Sequence, residues 1–471
     1  MPGILSYGAY VPPTRLPLDL ASGRAPREGG PERAVAWNDE DAITLAVAAA
    51  SNCLRGFDRA SVDGVLFAST TGPFREKQGA SLLAKALDLR REVLTSDHTG
   101  SLRAGVGALR AAADSIRAGT ARRLLVVASD TRLAAPGSAL ERNLGDGAAA
   151  FLVGESDAIA LLGEHHAVAD EIVDVWRSEG DRFVHSWEDR FVIQEGYVPT
   201  LVEAVEGLLR RAGSSAGDVT RFALYGPDAR SHASVSSKLR LEPAQVQDPL
   251  FGRLGNAGAA FAPLLLAASL ESARPGERLV VASYGDGAEA LALQVTEKVE
   301  KLEARRGVSW HLERRRPVKS YDRYLKARSL ETREYEPSAD AGLSATIHFR
   351  ERDEDVAFRG QQCRRCERVQ FPIQRVCESC FAKDDFERVR LSDRSGHVVT
   401  YTFDFFFPTP DPPTIVTVTE VEGGARVHLQ LVNATPEETR IGLPVEFVFR
   451  RIHTAGGRPN YYWKASPLPR G

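Results

Sequence analysis

One signature occurs twice in this chain and constrains its fold more than any other feature: GDGAAAFLV from Gly145 to Val153, and GDGAEALAL from Gly285 to Leu293. What precedes each copy also repeats. In the first half a small-residue stretch, GSLRAGVGALRAAADSIRAG, leads into RRLLVVAS; in the second, GNAGAAFAPLLLAASLESARPG leads into ERLVVAS. Repetition of this order, helix then strand then GDGA, marks a duplicated supersecondary unit. Short β-branched runs bounded by Gly and charge have the pattern of central strands covered on both faces. Helices rich in Ala and Gly let backbones approach closely. Together these features predict a duplicated, layered α/β body with helices buried between sheets. The longest apolar stretch, Ala257 to Leu270, is interrupted by Pro263 and is shorter than the roughly 20 apolar residues a bilayer crossing needs, so it reads as a buried helix.

At 471 residues the chain is too long for one ordinary core. Its 60 basic and 63 acidic residues nearly cancel, so no global field marks nucleic acid or an anionic membrane as a partner. The N-terminal run MPGILSYGAYVPPTRLPLDL lacks a basic region followed by an apolar stretch and a small-residue cleavage site, which places the expected location in the cytoplasm. There are five cysteines. Four of them, Cys363, Cys366, Cys377 and Cys380, form C-x2-C-x10-C-x2-C, in which two turns each offer a pair of thiolates to one tetrahedral Zn2+. With four sulfur ligands such a site keeps no open position, so the metal is expected to be structural. The fifth, Cys53, lies in DEDAITLAVAAASNCLRG, an acidic helix start followed by apolar residues at helical spacing, where packing is its expected role.

After the second GDGA the chain changes character. Residues 294 to 345 are dense in charge and poor in long apolar faces, as expected of a surface helix and linker. Beyond the cysteines, HVVTYTFDFFF, TIVTVTEV, RVHLQLV and PVEFVFRRI alternate or run apolar between turns such as Glu422-Gly423-Gly424, which predicts a small β-barrel. The expected organisation is a body over 1–295, a charged helical linker over 296–345, a zinc ribbon over 346–390 and a barrel over 391–471.

The body resembles the thiolase superfamily, and is most similar to hydroxymethylglutaryl-CoA synthase in its archaeal form. The likeness rests on APGSALE at 135–141 ahead of the first GDGA, DVWRSEGD at 174–181 and SYGDGA at 283–288. The tail, marked by CRRC, CESC and IGLPVEF, resembles the zinc-ribbon and OB-fold module that accompanies thiolase-like enzymes. The resemblance implies a duplicated five-layer αβαβα fold followed by a zinc ribbon and an OB-type barrel. It also implies acyl-CoA substrates, a Cys nucleophile, a carbonyl-polarising His and an acid/base Glu. In this sequence those three positions fall on Leu102 in Ser101-Leu102-Arg103-Ala104-Gly105, on Tyr225 in Leu224-Tyr225-Gly226-Pro227, and on Thr70 in Ala68-Ser69-Thr70-Thr71-Gly72. Only the family's Asn remains, as Asn256 between Gly255 and Ala257.

Three outcomes are open at this point. Without the thiolate, an aldol or retro-aldol step beside a CoA thioester is still possible, given a base and donors for the enolate oxygen, with Tyr225 and Asn256 as the expected donors. A second outcome is acyl transfer or condensation through Ser101, with His98 three residues earlier as its base. The competing reading makes Ser101 a helix N-cap and His98 a loop residue. The third is a non-catalytic acyl-CoA-binding or scaffold subunit. Arg103, Arg230 and Lys238 are the expected partners of CoA phosphates. The resemblance further implies a homodimer through the body, with another thiolase-like or CoA enzyme as a further candidate partner.

Overall fold

The computed structural model describes every residue of the chain except 179, 187, 188, 331–350, 408, 456, 457, 470 and 471. Its contacts divide it into two units, one made of Met1–Trp37 and Asp41–Tyr321, the other of Asn38–Glu40 and Asp322–Gly471. Residues 296–321 thus group with the first unit, and residues 331–345 of the charged segment lie outside the described residues. Glu179 of the DVWRSEGD run lies outside them too.

In the first unit, nine strands form one hydrogen-bonded array: β1 (Gly3–Tyr10), β2 (Gly64–Ala68), β3 (Leu94–His98), β4 (Arg123–Thr131), β5 (Asp146–Gly154), β6 (Ala160–Ala169), β7 (Arg221–Leu224), β8 (Arg278–Tyr284) and β9 (Gly287–Val295). Their order is β7-β8-β9-β6-β1-β5-β4-β2-β3. The array is two half-sheets joined where β1 touches β6 through only two residue pairs, Gly3 with Leu161 and Ile4 with Ala160. Each GDGA copy opens the strand that turns back antiparallel on the apolar strand before it, β5 on β4 and β9 on β8.

Six helices build the other layers: α1 (Ala42–Cys53), α2 (Gly79–Ala86), α3 (Ala104–Arg117), α4 (Val198–Arg211), α5 (Ala229–Lys238) and α6 (Phe261–Glu271). The first starts at a capping box, in which Asp41 accepts from Ile43 N and Thr44 N while Thr44 Oγ1 accepts from Asp41 N. It packs on β1, β4 and β5, and α4 packs on β6 and β9. Between the half-sheets lie α3 and α6, the first against β2 and β4, the second against β5, β7 and β8, and the two against each other. The layering is therefore helix, sheet, helix, sheet, helix. The composition of the central layer has a physical reason: a Cβ at Gly105 would lie 2.3 Å from Ala259 O, so only glycine lets α3 approach the start of α6 this closely. Pro263 sits in the first turn of α6, where its missing N–H costs nothing, and nearly all of that helix is buried.

Two buried histidines make this unit acid-sensitive. His311 is bonded through Nε2 to Ala9 O at 2.9 Å, and burial, aided by Arg306, Arg15 and Arg314, pushes its pKa down to about 3. His232 is pushed down to about 4, also by burial, with Asp248 opposing. Both are neutral in the folded chain, while unfolding lets them take up protons near 6.5. The unfolded state therefore binds more protons below that pH, so stability falls as pH drops from about 6.5 toward 4. At about 1.4 kcal/mol per unit of depression, the pair removes several kcal/mol over that window. Thermal unfolding followed from pH 7 to pH 4 should show Tm falling, and His311→Gln should flatten the slope; an equally steep slope in that variant would exclude His311 as a cause.

The second unit begins with a three-stranded piece, β10 (Arg359–Cys363), β11 (Val369–Gln370) and β12 (Phe386–Arg390), in the order β11-β10-β12. A closed five-stranded barrel follows: β13 (Gly396–Asp404), β14 (Thr414–Val421), β15 (Arg426–Leu431), β16 (Pro444–Ala455) and β17 (Arg458–Pro467), ordered β13-β14-β15-β17-β16. The residues of β14 and β15 alternate between buried and less buried, as the TIVTVTEV and RVHLQL patterns require of strands with one face inward. Phe358, Phe447, Phe449, Tyr461 and Trp463 form the aromatic filling, with Phe358 stacked on Trp463 and Phe449 on Tyr461.

Candidate functional site

Tyr225 follows β7 directly, and its N–H donates to Ala282 O on β8 at 2.8 Å, which places its ring in the core. There it meets Phe261 and Tyr197 edge-on and lies 6.3 Å from the Tyr284 ring, centroid to centroid. The Asn256 and Arg132 side chains are the polar groups that act on its hydroxyl, both favouring its charged form. Burial raises the Tyr225 pKa, with Arg132 opposing, so the phenol keeps its proton at neutral pH. Asn256 is held on both sides, its Nδ2 donating to Gly226 O at 2.8 Å and its Oδ1 accepting from Gly258 N at 2.8 Å.

Thr70 reaches the same centre through Asp130. That fully buried carboxylate accepts from six groups: Ser69 Oγ, Thr70 N and Oγ1, Thr71 N and Oγ1, and Ala259 N. Gly258, at φ +58°, closes the arrangement, because a Cβ there would lie 2.3 Å from Asp130 Oδ2 and 2.7 Å from Arg132 Cδ. The structure thus joins three of the positions picked out in the sequence, Thr70, Tyr225 and Asn256, around two residues that sequence reasoning missed, Asp130 and Arg132. The only signal for these was polar Ser129-Asp130-Thr131-Arg132 following an apolar strand run. The Thr70 hydroxyl is spent on Asp130 at 2.9 Å.

Leu102 is buried just before α3, and the glycine that starts the second GDGA is fitted against it: a Cβ on Gly285 would lie 2.8 Å from Leu102 N. Ser101 Oγ donates to Gly285 O at 2.9 Å and accepts from Arg103 N at 3.4 Å. His98 ends β3. Ser101, His98 and Arg103 line one cavity of about 350 Å3 together with Arg110 and Glu289, and Tyr225 and Asn256 are not among its walls. No hydrogen bond joins His98 to Ser101 among the described residues. Burial, with Arg110, lowers the His98 pKa, so its imidazole is neutral at pH 7. Arg103 Nη1 donates to Val168 O at 2.8 Å and to Ala288 O at 3.4 Å. Arg230 and Lys238 are exposed on α5, and Lys238 lines a different cavity, of about 310 Å3, with Arg240, Phe222 and Leu209.

The segment between β6 and α4 adds a second pair of groups. Asp174 is half-buried beside Tyr284; burial, then the charge of Asp286, holds its carboxyl above the usual range. Arg177 donates to Thr70 O, which fastens the segment to the Asp130 cluster. Cys53 is buried at the end of α1, bonded to Ser6 O at 3.5 Å, and its thiol is pushed up to about 12 by burial, so it carries no thiolate.

In the second unit the four remaining cysteines converge, with all their Sγ atoms within 4.8 Å of one another. Cys363 and Cys380 are 3.5 Å apart and Cys366 and Cys377 3.6 Å apart. Zn–S bonds of about 2.3 Å in a tetrahedron put sulfurs about 3.8 Å apart, so the cluster fits Zn2+. Both C-x2-C turns are built alike. Glu367 N donates to Cys363 O and Phe381 N to Cys377 O, and both donor residues have positive φ, +61° and +58°.

Three family models match the chain: 3-oxoacyl-[acyl-carrier-protein] synthase III C terminal over residues 209–296, the ChsH2 rubredoxin-like zinc ribbon domain over 356–387, and the ChsH2 C-terminal OB-fold domain over 388–450. The hydroxymethylglutaryl-CoA synthase of Aeropyrum pernix is 33% identical over 343 residues, covering 69% of this chain and 94% of that protein. Among solved structures, MvaS in complex with 3-hydroxy-3-methylglutaryl coenzyme A matches at 24% identity and a TM-score of 0.63, over 72% of this chain and 95% of that one. The 3-oxoacyl-(acyl carrier protein) synthase III of Pseudomonas aeruginosa matches at 25% identity and a TM-score of 0.56, over 63% and 98%. This chain belongs to the hydroxymethylglutaryl-CoA synthase family, as a thiolase-fold body extended by a ChsH2-type zinc ribbon and OB-fold barrel.

Proposed function

We propose that this protein is an acyl-CoA enzyme of the thiolase superfamily that makes or breaks a carbon–carbon bond next to the thioester, by aldol or retro-aldol chemistry and without a cysteine nucleophile. One observation carries this reading. The phenol of Tyr225, kept protonated and backed by Arg132 and Asn256, stands at the family's carbonyl-polarising position, while Cys53 is buried with its thiol protonated and the other four cysteines cluster in the second unit. The relatives' names supply the substrate class, acyl-CoA.

In the cleavage direction the β-hydroxyl of a 3-hydroxyacyl thioester loses its proton and becomes a carbonyl. The Cα–Cβ bond breaks and its electron pair passes into the thioester as an enolate. Tyr225 donates to the enolate oxygen, and Cα then takes up a proton. A ketone or aldehyde and a shortened acyl-CoA leave, with no oxidant or reductant consumed.

The exposed Arg230 and Lys238, and the part of the Arg103 guanidinium that bonds no carbonyl, are available to CoA phosphates. Zn2+, held by Cys363, Cys366, Cys377 and Cys380, supplies cross-linking of the ribbon and no chemistry; its thiolates suit the reducing cytoplasm. The sheet edge at β3, where Leu94 is half exposed, suits pairing with a second copy as a homodimer. Acyl transfer through Ser101 is less well supported, since its hydroxyl is committed to Gly285 O and hydrogen-bonds no base among the described residues. The test incubates the protein with 3-hydroxy-3-methylglutaryl-CoA and a series of longer 3-hydroxyacyl-CoA thioesters, followed by mass spectrometry. Shorter acyl-CoA plus a carbonyl product is expected, with acetyl-CoA and acetoacetate as the pair from the first thioester. A stable acyl adduct on Ser101 would overturn the reading, as would the absence of turnover in both directions.

A further inference from the structure

Tyr284 ends β8, immediately before the second GDG turn, with its ring 5.3 Å from Tyr197 and 6.3 Å from Tyr225. Its hydroxyl is buried and has no hydrogen-bond partner of ordinary geometry among the described residues. Leaving such a group unpaired is unfavourable, which a folded chain tolerates where the group has another use. Its surroundings are fitted to it. The π-helical turn Val192–Tyr197 brings Gly196 so close that a Cβ there would sit 2.9 Å from Tyr284 Oη, and turns of this kind recur at functional sites. Of the charged groups that act on the hydroxyl, the Asp174 carboxyl acts most strongly. Asp286 lies near Asp174, and Asp170, whose Oδ2 accepts from Thr200 Oγ1, lies near Tyr284. A carboxyl among other carboxyls holds a proton more readily than one paired to a cation, and is suited to moving one.

We propose that Asp174 is the acid/base of the carbon–carbon step, exchanging its proton with the substrate beside the Tyr284 hydroxyl while Tyr225 holds the thioester oxygen. This rests on the functional reading above and assigns the base that reading requires. In the bond-making direction Asp174 takes a proton from Cα of an acyl thioester, and the C–H pair becomes the enolate with its charge on the oxygen facing Tyr225. Cα then attacks the carbonyl carbon of the second substrate, whose π pair moves to oxygen. That alkoxide takes a proton from the Tyr284 hydroxyl as Tyr284 takes one from Asp174, so the carboxylate is restored.

The half-reaction can be read without knowing the second substrate. Wild-type protein incubated with acetyl-CoA or propionyl-CoA in D2O is expected to exchange the α-hydrogens, followed by mass spectrometry. Asp174→Asn should slow that exchange by about 100-fold or more, with acetyl-CoA binding within about 3-fold of wild type and an unchanged Tm. Tyr284→Phe should slow cleavage of 3-hydroxyacyl-CoA more than it slows exchange. If Asp174→Asn does not fold, Asp174→Glu decides: exchange with a displaced pH midpoint supports the assignment, and a rate and pH profile equal to wild type overturn it. Wild-type exchange or cleavage that Asp174→Asn leaves undiminished overturns the role of Asp174 and leaves the functional reading standing. A wild-type protein that neither exchanges acyl-CoA nor cleaves any 3-hydroxyacyl-CoA overturns both.

Discussion

Replacing Tyr225 with Phe is expected to lower kcat for cleavage of a 3-hydroxyacyl-CoA by about 10²–10³-fold, with KM changed little. The hydroxyl serves the transition state more than the ground state, because charge builds on the thioester oxygen only as the Cα–Cβ bond breaks. The ring itself packs against Tyr197, Phe261 and Tyr284, and Phe preserves those contacts. What the variant loses is the hydroxyl alone, whose charge Asn256 and Arg132 influence. Because the ring packing is kept, the kinetic loss should come with little change in the urea midpoint. Steady-state kinetics with kcat and KM resolved separately, alongside a urea titration, make the check. An unchanged kcat would remove Tyr225 from the mechanism, and a loss confined to KM would make it a binding residue.

The other large effect lies in the second unit. Cys363→Ser should abolish stoichiometric zinc and unfold the ribbon, because apparent Zn2+ binding energies in such small sites are about 10–16 kcal/mol and are themselves folding energy. Around Cys363, Cys377 and Ala382 the buried cluster is small, and the strands Val369–Gln370 and Arg359–Cys363 are short. Metal analysis should return one zinc per chain in the wild type and none in the variant. A chelator such as EDTA should reproduce the loss, read as a missing low-temperature transition in a thermal scan. Metal-free protein whose scan matches that of the wild type would show that the cysteines do not depend on a metal.

The structure also separates groups that look alike in sequence. Ser101, beside one family catalytic position, and Thr70, at another, are both hydroxyls, yet each is committed to a fixed acceptor, Gly285 O in one case and Asp130 in the other. Arg103, Arg230 and Lys238 all read as phosphate partners, and the fold distributes them over one cavity wall, an exposed helix face and a second cavity. A positive charge in a sequence says nothing of what faces it. Asp130 is the plainest case of the limit. Its six donors come from residues 69–71 and from residue 259, so no window around position 130 contains its partners.

What the sequence determined by itself is what local rules govern. C-x2-C-x10-C-x2-C specifies the ribbon because each turn spans four residues and its ligands are chain neighbours. Alternating strands predicted a barrel because side-chain direction has a period of two. The duplicated helix, strand and GDGA order predicted a layered body because a small-residue helix between two sheets needs close approach, as Gly105 against Ala259 shows. Tertiary structure alone decided the grouping of the candidate site residues. Thr70, Asp130, Tyr225 and Tyr284 come from both half-sheets, and Thr70 reaches Asp130, as Tyr225 reaches Tyr284, only because antiparallel and crossover connections return distant strand ends to neighbouring places. A single Asp or Tyr carries no periodicity, so its role appears only when the groups around it are known.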